Sequence, residues 1–367
     1  MFHNARNLKY NLSLTLIAFL LLLSCSSDDD TETIVPEYHA PIFDLTGAKA
    51  VVYFGTGNTT ANGRTSETGP GNLFKLDAVG ERSPACWDAS FAAVRPLRNG
   101  LFVTHYNNVT KNYVYHVVEL DNSSFQLDDG YGADLIGEND AGDLIFADGH
   151  VFRRATKTIE TLKTDLPAFM VVYVSGNFAT VRAQADFYVV NTVTGKLYPI
   201  LNCHGPLIAA LDADQVFVDD CQAENLLTFS TGKRSTPGIY PFGFSARTAI
   251  GIATLDSKLT EYNTQGQVTF EAPYPIASRV LSFTNSGDYF IIHERTGVSV
   301  IKRGNPVVRP ILSGVNVSRF SAADGVLYYA AIKKDGRPVV GIFNLESGED
   351  TVVPGNVPPW VALYAFE

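Results

Sequence analysis

Histidine and cysteine are the side chains best suited to metal binding or nucleophilic catalysis, and here the seven histidines and four cysteines are scattered along the chain. His105 and His116 fall on facing strands of one expected hairpin. A histidine embedded in a strand more often packs and hydrogen-bonds than ligates a metal. Cys203-His204 is the only adjacent cysteine–histidine pair, and a structural zinc site needs a second. Cys203 and Cys221 are close enough in sequence to pair in an oxidising compartment; two buried free thiols are the alternative. Asp212 and Asp214, with Asp219 and Asp220, either offer carboxylates to a cation or cap turns and face water. Neither a Gly-x-Ser-x-Gly elbow nor a His-Glu-x-x-His helix occurs. Paired carboxylates for glycosidic cleavage would come from distant segments and leave no local spacing to read. No catalytic residue, metal site or cofactor is therefore assigned.

Binding residues are easier to place. Residues 55–71, GTGNTTANGRTSETGPG, form a long, polar, glycine-rich segment where comparable positions have short turns. Insertions of this kind collect on one face of a repeat protein, often the binding face. Asn58, Arg64 and Glu67 are its candidate ligand-binding residues; a surface insertion without a ligand is the alternative. Gly55-x-Gly57 is no phosphate cradle, since no helix follows to present its N-terminal amides. Further hairpin loops are expected on the same face. They carry Asn107, His150, Gln184, Asp186, Asp219, Arg295 and Lys334, a set of mixed sign that suits a polar organic ligand. Tyr106, Tyr131, Tyr240 and Phe242 either offer flat stacking surfaces there or pack between sheets.

The elements that must carry these loops are strands. Residues 175–200, SGNFATVRAQADFYVVNTVTGKLYPI, read as strand, tight loop, strand, polar turn and strand. The same module recurs from Val51 onward, giving eight hairpins. Its opening turns supply a ruler. Gly100 to Gly142 is 42 residues, Gly142 to Gly176 is 34 and Gly287 to Gly325 is 38, with three intervals averaging 37 between Gly176 and Gly287. No stretch has helical periodicity. Four-stranded propeller blades repeat at about 40–50 residues, so the expected fold is an all-β propeller of antiparallel blades. Eight blades are favoured over seven. Two sandwiches or one large barrel would not explain so steady a period. The C-terminal strand, residues 361–366, is expected to pair with the blade holding the N-terminal strand and so close the ring.

The N-terminus reads as an address. Arg6 and Lys9 precede the apolar run LTLIAFLLLL, too short for a comfortable span of about 20 residues. Leu22-Leu23-Ser24-Cys25 then looks like a bacterial lipobox, which implies cleavage before Cys25 and lipidation of its thiol. A cleaved secretory signal with an incidental cysteine is the alternative. Asp28-Asp29-Asp30 follow at once. With the repeat, these features resemble the β-propeller surface lipoproteins of Bacteroidota. The expected organisation is a signal peptide at 1–24, a flexible acidic tether at 25–37 and one propeller domain at 38–367.

That resemblance implies a protein held in the outer membrane through Cys25 and exposed at the cell surface. Some members of the group capture nutrients, such as corrinoids or siderophores, and hand them to a TonB-dependent transporter. Charge agrees with a small-molecule or glycan ligand rather than nucleic acid. The formal net charge is −10, and loss of Arg6 and Lys9 with the signal peptide leaves −12, so no basic face is available to phosphates. The leading expectation is a non-enzymatic capture protein. A carbohydrate-active propeller enzyme, either hydrolase or lyase, and a protein-interaction scaffold are the alternatives.

Overall fold

A strand buried on one face alternates apolar and polar residues; a strand buried on both reads as a continuous apolar run. The second strand of nearly every module here is of the latter kind: LIF at 144–146, VFV at 216–218, YFII at 289–292 and VLYYAAI at 326–332. Each therefore needs a neighbour on either side. The computed structural model describes residues 40–54, 72–87, 91–107, 109–127, 135–200, 207–219, 224–239, 244–274, 280–355, 357 and 361–366. Within the unit His39–Asn107 and Lys111–Glu367, it shows how that need is met.

Eight four-stranded antiparallel sheets form the blades of a β-propeller, with no helix among the described residues. Blades 2 to 8 each use four strands consecutive in sequence. Blade 1 does not. Its innermost strand is Val361–Ala365, followed outward by Ala50–Phe54, Leu73–Leu76 and Arg82–Pro84. Five residue pairs, from Ala50↔Ala365 to Phe54↔Val361, join the two ends of the chain. The expected closure is thus realised, and the blade count is eight. In blade 4 the three strands read from sequence are Phe178–Ala183, Asp186–Asn191 and Leu197–Ile200; a fourth, Met170–Ser175, lies inside them.

The core is divided between the blades. Eight apolar clusters fill the eight interfaces between neighbouring sheets. Successive residues of a second strand go to opposite clusters. In blade 2, Leu101 and Val103 pack toward blade 1 and Phe102 toward blade 3. In blade 7, Phe290 and Ile292 pack toward blade 6 and Ile291 toward blade 8. Leu363 of the closing strand is buried with Val52, Leu76, Tyr328 and Val340 in the interface between blades 8 and 1.

Buried ionic ties supplement the apolar interfaces. Glu261 of blade 6 is fully buried, and its carboxylate accepts two bonds from the Arg303 guanidinium of blade 7, at 2.8 and 3.0 Å. Arg154 of blade 3 donates to Glu119 of blade 2 and, at 2.7 Å, to Glu138 of its own inner strand. Outside the ring, Ile42–Phe43 pairs with Cys86–Trp87 as a short ribbon. Phe43 and Cys86 complete the cluster between blades 1 and 2.

Truncating the closing strand tests this account. Leu363→Ala is expected to lower the unfolding free energy by about 2–5 kcal/mol in urea titrations. Val193→Ala, at an exposed turn of blade 4, is expected to change it by less than about 0.5 kcal/mol.

Candidate functional site

In each blade the turn between the second and third strands, like the link to the next blade, lies at one end of the ring. Turns between the first and second strands lie at the other. The seven sequence-predicted binding residues that fall among the described residues all sit at or beside second-to-third-strand turns, in blades 2, 3, 4, 5, 7 and 8. They share a face, as expected, but around its circumference.

Their local settings differ. Asn107 is buried, and its carbonyl accepts the Lys111 N–H at 2.9 Å. His150 Nδ1 lies 2.7 Å from the Asp148 carboxylate. Gln184 is exposed at φ 54°, and its carbonyl accepts the Arg182 Nε–H at 3.1 Å. Asp186, Arg295 and Lys334 are exposed, whereas Asp219 is half-buried and its N–H donates to the Leu207 carbonyl at 3.0 Å. Tyr106 is exposed beside Tyr113, with the rings edge to face and centroids 5.5 Å apart. Tyr113 was not singled out in the sequence, although its alternation with Val114 places it on the same sheet face as its partner. Asn58, Arg64, Glu67, Cys25, Cys203, Cys221, Tyr131, Tyr240 and Phe242 lie outside the described residues.

At two places the structure decides between alternatives that the sequence leaves open. Asp212 and Asp214 do not join Asp219 in a cation site. They stand at the opposite end of Gln215–Asp219, a strand of about 16 Å. There the Asp212 carboxylate accepts the N–H groups of Asp214 and Gln215, and Asp214 accepts the Ser230 N–H and hydroxyl. Among the described residues no group of three or more His, Cys, Asp or Glu side chains is arranged to hold a metal ion.

His105 and His116 are packed, not presented. Their rings stack at 5.1 Å and 19°, both are buried, and Phe43 lies 5.9 Å from His116. Burial pushes each imidazole down to about 4, and for His116 the neighbouring His105 adds to the effect.

The feature that sequence inspection missed is at the other end of the ring. Asp140, in the turn between the first two strands of blade 3, accepts the Arg247 guanidinium of blade 6 at 2.7 and 2.9 Å. Arg98 of blade 2 adds a bond to the Asp140 carbonyl at 2.8 Å and approaches its carboxylate at 3.4 Å. This ion pair passes over the inner ends of blades 4 and 5. Gly176 of blade 4 makes room for it: a Cβ there would lie 3.1 Å from both the Arg247 Nη1 and an Asp140 carboxylate oxygen, and 2.6 Å from the Ala210 Cβ of blade 5. Residues 107 positions apart carry no joint sequence signal.

The arrangement also places two arginines and a tyrosine on innermost strands: Arg95 in blade 2, Arg319 in blade 8 and Tyr364 in blade 1. It presents no nucleophile paired with a base among the described residues.

The fold defines the class of protein as an eight-bladed β-propeller. No family model matches the chain, and no curated protein is similar to it. Among solved structures it is similar to the dihydro-heme d1 dehydrogenase NirN in complex with DHE, at 12% identity and a TM-score of 0.50, over 89% of this chain and 76% of that one. It is also similar to the dipeptidyl peptidase 4 of Porphyromonas gingivalis, at 11% identity and a TM-score of 0.47, over 73% of this chain and 54% of that one. The β-propeller domain of the Trilobed protease from Pyrococcus furiosus gives 12% identity and a TM-score of 0.40, over 73% of this chain and all of that one. At these identities the likeness is one of fold.

The histidine pair predicts an acid-sensitive interface between blades 1 and 2. An exposed histidine in the unfolded chain takes up its proton near pH 6.5, whereas the folded pair resists until about 4. Stability contributed by the neutral pair is therefore present above pH 6.5 and is lost as pH falls toward 4. Each ring accounts for about 2–3 kcal/mol by pH 4.5. His116→Phe is expected to flatten that decline in urea titrations between pH 7 and 4.5; an unchanged slope would contradict the assignment.

Proposed function

We propose that this protein is a surface capture protein of the outer membrane, tethered by lipid on Cys25, which binds a polar solute or glycan within its propeller. The solute is then passed to a TonB-dependent transporter. The observation that carries the binding half of this reading is the Arg98–Asp140–Arg247 tie across one end of the ring. It bridges blades 2, 3 and 6 at that end, and the candidate loop residues lie on the opposite face. The tether half rests on Leu22-Leu23-Ser24-Cys25 and the acidic run behind it.

Two measurements test the halves separately. Cys25→Ser is expected to shift the protein from the membrane fraction to the soluble fraction and to abolish labelling by palmitate; a variant that stays membrane-bound sinks the tether. Equilibrium dialysis of the mature chain against corrinoids, siderophores and oligosaccharides is expected to show one saturable ligand recovered unchanged. Replacing residues 55–71 with a short turn is expected to weaken that binding. Recovery of a cleaved ligand would instead make the protein an enzyme.

A further inference from the structure

The charges of this chain are unevenly matched. With a net charge of −10, carboxylates outnumber cations, and several arginines of the blades are ion-paired. Arg98, Arg153, Arg154, Arg247, Arg303 and Arg337 each lie within 4.0 Å of a carboxylate. Arg95 and Arg319 do not pair with any carboxylate among the described residues. Both are exposed, and both sit on innermost strands, Phe91–Leu97 of blade 2 and Asn316–Ala323 of blade 8.

These two blades flank the closing blade. The Tyr364 hydroxyl of blade 1 donates to the Val94 carbonyl of blade 2 at 2.9 Å, and the Ala365 N–H donates to the Ser321 hydroxyl of blade 8 at 2.9 Å. The neighbours of Arg95 and Arg319 in sequence are thus stitched to the same inner strand. Both guanidinium charges also reach the Tyr364 phenol: burial raises its pKa, while Arg319 and then Arg95 pull it back. Arg319 comes directly after a register shift at Ser318, the kind of irregularity that re-aims a side chain.

Each guanidinium is held by backbone and left with spare donors. Arg95 Nη1 donates to the Leu135 carbonyl of blade 3, and Arg319 Nη1 donates to the Ser318 carbonyl at 3.1 Å. A guanidinium has five N–H groups in a planar fork that fits a carboxylate or phosphate.

We propose that Arg95 and Arg319 form an oxyanion-binding pair on the inner wall, flanking Tyr364, which takes a carboxylate or phosphate group of the captured solute. This rests on the capture reading and supplies the chemical class of its ligand. Tyr364 spends its hydroxyl proton on Val94 and acts as the wall between the two cations.

Calorimetric titration of the mature chain with citrate and with inorganic phosphate tests the pair and separates the two sources of oxyanion. Saturable binding of either probe is expected, weakened at least about tenfold in Arg319→Gln and again by raising sodium chloride from 25 to 250 mM. Among the described residues Arg319 bonds only to its own strand, so this variant keeps the blade contacts; Arg95→Gln is the second variant, and Lys233→Gln on an outermost strand is the control. Failure of both probes to bind, or equal affinity in Arg319→Gln and the control, overturns the proposal. Saturable binding of a neutral oligosaccharide indifferent to Arg319→Gln also overturns it, while leaving capture intact.

Discussion

A blade of four strands has two apolar faces and can hide neither by itself. The constraint that follows is that every sheet must have a neighbour on each side, and only a closed ring provides this for all of them. The eight interface clusters are the direct record of it. Odd and even residues of one strand belong to different clusters, so an interface cannot loosen without disturbing the blade on its far side. The pairing of Val361–Ala365 with Ala50–Phe54 is therefore more than a convenience of topology. It joins residues from the two ends of the chain and supplies the last two faces with partners.

The same constraint explains what was legible in the sequence. Second and third strands are buried on both sides, and their unbroken apolar runs with turn residues between them stand out against the rest. Innermost strands are harder to read. Five of the eight carry a register shift, as between Val171 and Tyr173 in blade 4 or Val317 and Arg319 in blade 8. An extra residue breaks the two-residue period, and partial exposure to the ring's interior admits polar side chains. Met170–Ser175 was missed for these reasons.

The candidate site divides in a similar way. The loop residues were placed on a common face because each occupies an equivalent position in its own repeat. Asp140, Arg247 and Arg98 were invisible because they come from blades 3, 6 and 2 and meet only once the ring exists. Arg95 and Arg319 are likewise brought near Tyr364 by closure. The Asp212 and Asp219 groups are the reverse case: near in sequence, they are separated by the length of a strand, and Asp212 caps its own turn. Chemistry assembled across a ring leaves no spacing behind, whereas the scaffold that assembles it leaves a period.

The placement of the closing strand has a consequence for biogenesis. Synthesis proceeds from the amino end, so the three outer strands of blade 1 are made long before their innermost member. Until then Ala50–Phe54 presents a bare edge, and no order of docking among the intervening sheets can lock the circle. The ring stays unlatched until Val361–Ala365 has been made, and that strand acts as the clasp.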